Sequence, residues 1–265
     1  MSTLNTKGST SARERDQERC YALLERLKAG FRGKRLLSEA GARQCPRRGV
    51  YIFFEDGEIR QKSQMLRVVR VGTHGVIQGS RSTLWNRLSA QRGTSTGSGN
   101  HRGSIFRLYA GHAIASRENQ WAVSSWGMGQ SAGTATRHEG QDLERRVSVA
   151  IGAMPLLWLT IDDEPSRESD RAFIVRNLIG LLSADSGNAD APSPGWLGSF
   201  SRHDKIRTSG LWNVDHVDYK HTSDFLDILQ EYVDVTIGSR PVPTTSIAPA
   251  GWLELDRKRS MKLCR

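Results

Sequence analysis

Two short β-forming runs lie close together, "GVYIFFEDG" from Gly49 to Gly57 and "RVVRVG" from Arg67 to Gly72, and no regular alternation of strand and helix follows them. Strands and helices mixed without a βαβ repeat favour an α+β fold over a doubly wound parallel sheet. The expected architecture is a small central antiparallel sheet flanked by helices. The Asp56-Gly57 pair marks a turn, so the two runs read as a hairpin. Apolar continuity gives a third strand at Pro155 to Ile161, "PLLWLTI".

Helical spacing of Tyr21, Leu24 and Leu27 predicts a helix over Asp16 to Leu27. Further helices are predicted over Ser82 to Ala90, Asp142 to Ile151, Ser169 to Ser183 with Ser169 or Asp170 as cap, and Ser223 to Val233. The segment Gly103 to Ile114 fits helix or strand. Arg92 to Gly103, Trp121 to Gly140 and Trp196 to Val217 read as loop or insertion, the first of them mobile. Residues 1–45 then form an N-terminal extension with one helix, 46–235 the main domain, and 236–265 a basic tail ending in "DRKRSMK".

Lys and Arg number 38 against 28 Asp and Glu, a net charge of +10, and the excess is spread along the 265 residues. A polyanion is the natural partner for such a balance. Cys20, Cys45 and Cys264 have no paired spacing, which argues against a disulfide framework or a zinc module and for a reducing compartment. No apolar run approaches the roughly 20 residues that span a bilayer. The expectation is a cytoplasmic, nucleic-acid-binding chain without a membrane partner.

"GVY" at Gly49 to Tyr51, "RVG" at Arg70 to Gly72 and Arg87 on the following helix form an ordered set that resembles the GIY-YIG nuclease family. "LWNRLSAQRG", "HRGSIFR", "IGAMPLLWL", "RAFIVRNLIGLLS" and "WLGSFSRHDKIRTSGLWNVDHV" extend the resemblance over Arg48 to Val233. It implies phosphodiester hydrolysis by a water, with one divalent cation, Mg²⁺, held by a single glutamate. Tyr51 matches the tyrosine that takes or guides the water's proton; a strand tyrosine is otherwise commonly buried with its hydroxyl on a carbonyl. Arg87 matches the helix arginine that meets the phosphate.

The chain also departs from that pattern. Arg70 replaces the second motif's tyrosine, exchanging a hydroxyl for a phosphate-competent charge. Gln91 stands where a histidine or tyrosine often follows Arg87, and an amide orients water without exchanging a proton near neutral pH. His74 and His101 are candidates for a second proton carrier or phosphate contact, although each reads more simply as an exposed histidine. Val175 occupies the position of the metal-binding glutamate and has no oxygen for a hard cation. Of the possible replacements, Glu168 lies about 10 Å earlier along the helix axis, Asp170 has a different azimuth, and Glu144 sits on another helix.

Downstream, Arg202, His203, Lys205 and Arg207 interleave with Phe200 and Trp212, a composition suited to phosphate contact beside stacking on bases or sugars. The resemblance therefore implies a DNA endonuclease, impaired in this copy by the loss of the glutamate at Val175, with double-stranded DNA as partner. Two alternatives remain open: an inactive DNA-binding module on the same scaffold, and a protein-interaction subunit whose basic face docks an acidic partner.

Overall fold

The computed structural model describes residues 11–31, 33, 35–94, 96, 99–118, 125–129, 133–184 and 190–255. Its sheet has three strands in the order β2-β1-β3, with β1 Gly49–Ile59, β2 Leu66–Gly72 and β3 Leu156–Thr160, all antiparallel. This is the α+β arrangement that the sequence predicts.

The hairpin differs in one detail. Asp56-Gly57 does not turn the chain: β1 runs through it to Ile59, with shifts of register on either side of Phe54. The reversal comes at Arg60 to Met65, closed by the Arg60 amide on the Met65 carbonyl at 3.0 Å. Gly57 has φ +89, and a bulge can use that conformation as readily as a tight turn.

Alternation along β1 sends Val50, Ile52 and Phe54 to one face of the sheet and Tyr51 and Phe53 to the other. The first face is covered by α1 (Ala12–Gly30), α6 (Asp170–Leu182) and α8 (Phe225–Thr236), through side chains such as Leu24, Ile174 and Phe225. The second is covered by α2 (Leu84–Arg92), α3 (Ile105–Arg117) and α5 (Gln141–Gly152), through Leu88, Phe106 and Val147. The short α4 (Thr134–Glu139) precedes α5 and buries nothing. Helix α1, read as an extension from sequence, packs its apolar stripe into the core of the first face.

Local signals explain the helix starts. Thr83 caps α2 and Ser169 caps α6, their side chains accepting from the amides of Asn86 and Ala172. The ambiguous segment at Gly103 to Ile114 is helical, and Ser104 caps it.

Trp196 to Val217 is more ordered than a loop. It contains a 3-10 turn, Leu197–Phe200, and α7, Asp204–Ser209. Six residues are too few to show helical periodicity, which is why the sequence hides α7. This segment then covers the open edge of β2. The Trp212 amide donates to the Val69 carbonyl at 2.7 Å, while the Asn213 side chain accepts from the Val71 amide at 3.1 Å and donates to its carbonyl at 2.8 Å. An edge strand is thereby satisfied without a fourth strand. The predicted insertion at Trp121 to Gly140 falls partly outside the described residues, and the "DRKRSMK" tail lies wholly outside them.

The segment after α8 folds back along α6. Buried Asp170 accepts from the Tyr232 and Ser246 hydroxyls and from the amides of Ile247 and Ala248 at 3.0 and 2.9 Å. Trp252 then packs edge-on to Phe173. Removing a buried acceptor strands its donors. Asp170→Ala should therefore destabilise the protein by about 3 kcal/mol in urea unfolding and speed proteolytic cleavage between residues 242 and 255. A loss well under 1 kcal/mol would contradict this clamp.

Candidate active site

Tyr51 lies opposite Gly72 in the β1–β2 register. The approach is so close that a Cβ on residue 72 would stand 2.3 Å from the phenol oxygen, so only glycine fits. Tyr51 is 1 % exposed, with its ring against Phe53 at 5.4 Å. Helix α2 reaches Arg92, two residues further than the sequence suggests, and so brings Gln91 over the strand. The Gln91 amide donates to the phenol oxygen at 2.7 Å. The backbone of Gln91 is fixed in turn, because its carbonyl accepts from Arg107 at 2.9 Å.

Burial pushes the Tyr51 phenol up, but the charges of Arg70 and Arg87, with the Gln91 hydrogen bond, outweigh burial and bring it below its ordinary 10.0. Arg87 therefore lies near enough to Tyr51 for its charge to act on the phenol. Arg87 is half-buried, and its guanidinium makes no hydrogen bond or ion pair among the described residues. The phenol itself is covered, so the two groups do not line an open bowl.

Arg70 plays a different part from the one its charge suggests. It is 6 % exposed, lies over the Phe106 ring with its guanidinium carbon 4.5 Å from the centroid, and donates to the Trp212 carbonyl. Its charge acts on the phenol from within the core rather than on a phosphate in solvent.

Both histidines are buried, contrary to the sequence reading. Burial and then the Arg171 charge push His74 down to about 4, so its ring is neutral at pH 7. Neither of its ring nitrogens meets a hydrogen-bond partner of good geometry. His101 stacks on Trp126 at 3.8 Å and shares its Nδ1 with Glu144 at 2.8 Å. Glu144 also takes the buried Arg107 guanidinium, at 2.5 Å from one nitrogen and 3.1 Å from another. His101 and Glu144 thus belong to a closed structural network. Nothing in a Gly/Ser-rich sequence around His101 signals that partner, which lies 43 residues away.

Val175 is buried on the opposite face of the sheet from Glu144, in the core of α1, α6 and α8. It also lines a cavity of about 480 Å³ with Thr73, Asp215 and His216. Asp170 is committed to its own clamp and cannot turn toward this cavity. Asp215, missed from sequence, is the one carboxylate on the cavity wall among the described residues. Among the described residues no group of three or more His, Cys, Asp or Glu side chains could hold a metal ion. The residues present do not fit the divalent-cation site that a glutamate at position 175 would make.

The downstream basic residues separate into two kinds. Trp212 is fully buried between Phe106 and Trp196, at 5.6 and 5.5 Å, which corrects its assignment as a stacking platform for bases. Its place beside β2 puts it in the core, and the aromatic–basic spacing alone could not distinguish the two. Lys205 and Arg207 are exposed on α7 but paired with Asp218 and Asp204. Arg202 is exposed, and His203 meets Tyr109 edge-on at 5.2 Å. Tyr109 itself feels the charges of Asp215 and Arg70.

Residues 11–238 match the model of a protein family described as the GIY-YIG domain. No curated protein and no solved structure matches the chain. No described helix is long and apolar enough to cross a membrane. With most of its length matched, its two motifs side by side on β1 and β2, and Arg87 brought to Tyr51 by the next helix, the chain belongs to the GIY-YIG domain family.

Proposed function

We propose that this chain hydrolyses phosphodiester bonds in double-stranded DNA through Tyr51 and Arg87, with the cation-dependent part of that chemistry weakened by Val175. The observation that carries the reading is the direction in which Tyr51 ionises. Tyr21, Tyr109 and Tyr232 are all pushed up, by burial first in each case, whereas Tyr51 is pulled down although it is as buried as any of them. An acidified phenol surrounded by arginines is what a proton acceptor needs.

In this reading the water oxygen attacks phosphorus while its proton passes to the Tyr51 phenolate, and the P–O bond to the leaving sugar oxygen breaks, that oxygen keeping the electron pair and taking a proton from solvent water. Arg87 meets the charge building on the non-bridging oxygens. Gln91 and Arg70 hold and polarise the phenol. Since Tyr51 is covered, side chains around it have to move before the water can reach it. His74, neutral at pH 7, cannot serve as a proton donor there. Mg²⁺ is the ion that the resemblance suggests; position 175 offers it no oxygen, and no step is assigned to it. Val175 equally favours a second reading, a DNA-binding module that retains duplex without cutting it.

Plasmid cleavage separates the two. Val175→Glu should raise Mg²⁺-dependent cleavage over the parent by about 10²–10³, while Val175→Gln, a comparable burden on the fold, should not. Equal rates for the parent and Val175→Glu would oppose the account of position 175. In the Val175→Glu background, Arg87→Ala should lower the cleavage rate by about 10²–10³ and leave duplex retention largely intact. Retention without cleavage by both the parent and Val175→Glu would favour the binding module, and no retention by either would end the nucleic-acid reading.

A further inference from the structure

A cavity of about 910 Å³ does not contain Tyr51 and is lined by Arg47, Arg48, Arg81, Arg167, Ile77 and Glu164, with the turn residues between them. It is within the size range of ligand-binding clefts. Glu164 is the acidic residue on its wall, and Arg48 already holds that carboxylate at 3.2 Å while donating to the Asp163 carbonyl at 2.6 Å. Arg48 is buried and its role is structural.

The other three arginines are exposed, and their guanidinium groups make no hydrogen bond or ion pair with any described residue. Three unneutralised like charges around one concavity repel one another, and a polyanion relieves that repulsion. Each arginine sits just ahead of an element that carries the site. Arg47 precedes β1, which bears Tyr51, and its carbonyl accepts from the first amide of α2 at 2.9 Å. Arg81 precedes the Thr83 cap of α2, which bears Arg87. Arg167 precedes α6, which bears Val175, and it also lines the 480 Å³ cavity beside that residue. Arg167 thus stands on the walls of both cavities. At the rim, Ile77 is 65 % exposed, an apolar side chain of the kind that meets deoxyribose or a base edge.

We propose that Arg47, Arg81 and Arg167 bind backbone phosphates of the DNA strand next to the scissile position, with Ile77 against its sugars or bases. The proposal rests on the nucleic-acid reading above and adds to it where the strand runs. These contacts set position and affinity and carry no sequence information.

The test is the salt dependence of duplex binding. The Arg47→Gln, Arg81→Gln, Arg167→Gln triple variant should flatten the slope of log affinity against log salt by about 2 to 3 relative to the parent, near 0.9 per phosphate contact. A control triple at Arg19, Arg145 and Arg240, exposed and paired elsewhere, loses the same charge and should leave the slope near the parental value. Ile77→Ser should weaken duplex binding several-fold without changing the slope, and should leave binding of polyphosphate, which has no sugars or bases, unaltered. All six arginines are exposed, and circular dichroism checks that each variant folds. If the parent binds duplex and the two triples give the same slope, this assignment is wrong while the nucleic-acid reading stands. If polyphosphate binds as tightly as duplex and Ile77→Ser affects neither, the cavity is a general anion site and the strand assignment is overturned. A parent that fails to bind duplex at all overturns both.

Discussion

The pairing of Tyr51 with Gly72 across β1 and β2 is the constraint on which the site depends. Slipping the register by one residue would send the phenol to the other face of the sheet, among α1, α6 and α8 and away from α2. In the observed register the missing side chain of Gly72 leaves room for the ring. Pairing of Phe53 with Arg70 sets that arginine on the same face as the phenol, while Gln91 and Arg87 approach from the helix above.

The same side chain behaves in opposite ways elsewhere in this fold. Tyr21 accepts from the Val68 amide at 3.0 Å, and Tyr232 donates to Asp170. Burial dominates at the first; at the second a carboxylate adds to it by favouring the protonated phenol. At Tyr51 two guanidinium groups act in a water-poor setting, where unscreened charge is felt more strongly. The partners, more than burial, decide which tyrosine can take a proton. On the other face of the same sheet, Val175 is an apolar side chain buried in the core of α1, α6 and α8.

Much of this was legible in the sequence because it depends on local rules. The paired β runs, the cap of α6, the apolar stripe of α8 and the order of Tyr51, Gly72 and Arg87 follow from periodicity, capping and motif spacing. What escaped depends on contacts between distant segments. His101 looks exposed in its glycine-rich stretch until Glu144 closes over it, and Trp212 looks like a stacking platform until its backbone joins the edge of β2. Arg70 reads as a phosphate ligand because charge suggests solvent; its position opposite Phe53 puts it in the core instead. The basic dipeptide before β1 was visible, but the convergence of Arg47 with Arg81 and Arg167 was not, since 120 residues separate the first from the last.

The most direct measurement is the alkaline titration of tyrosine absorbance in the parent, Tyr51→Phe and Arg87→Gln proteins. A phenol titrating below 10.0 should be present in the parent, absent from Tyr51→Phe, and moved upward in Arg87→Gln. A parent curve unaltered by Tyr51→Phe below that pH, or an ionisation of Tyr51 indifferent to Arg87, would contradict the claim that these two groups act on one another.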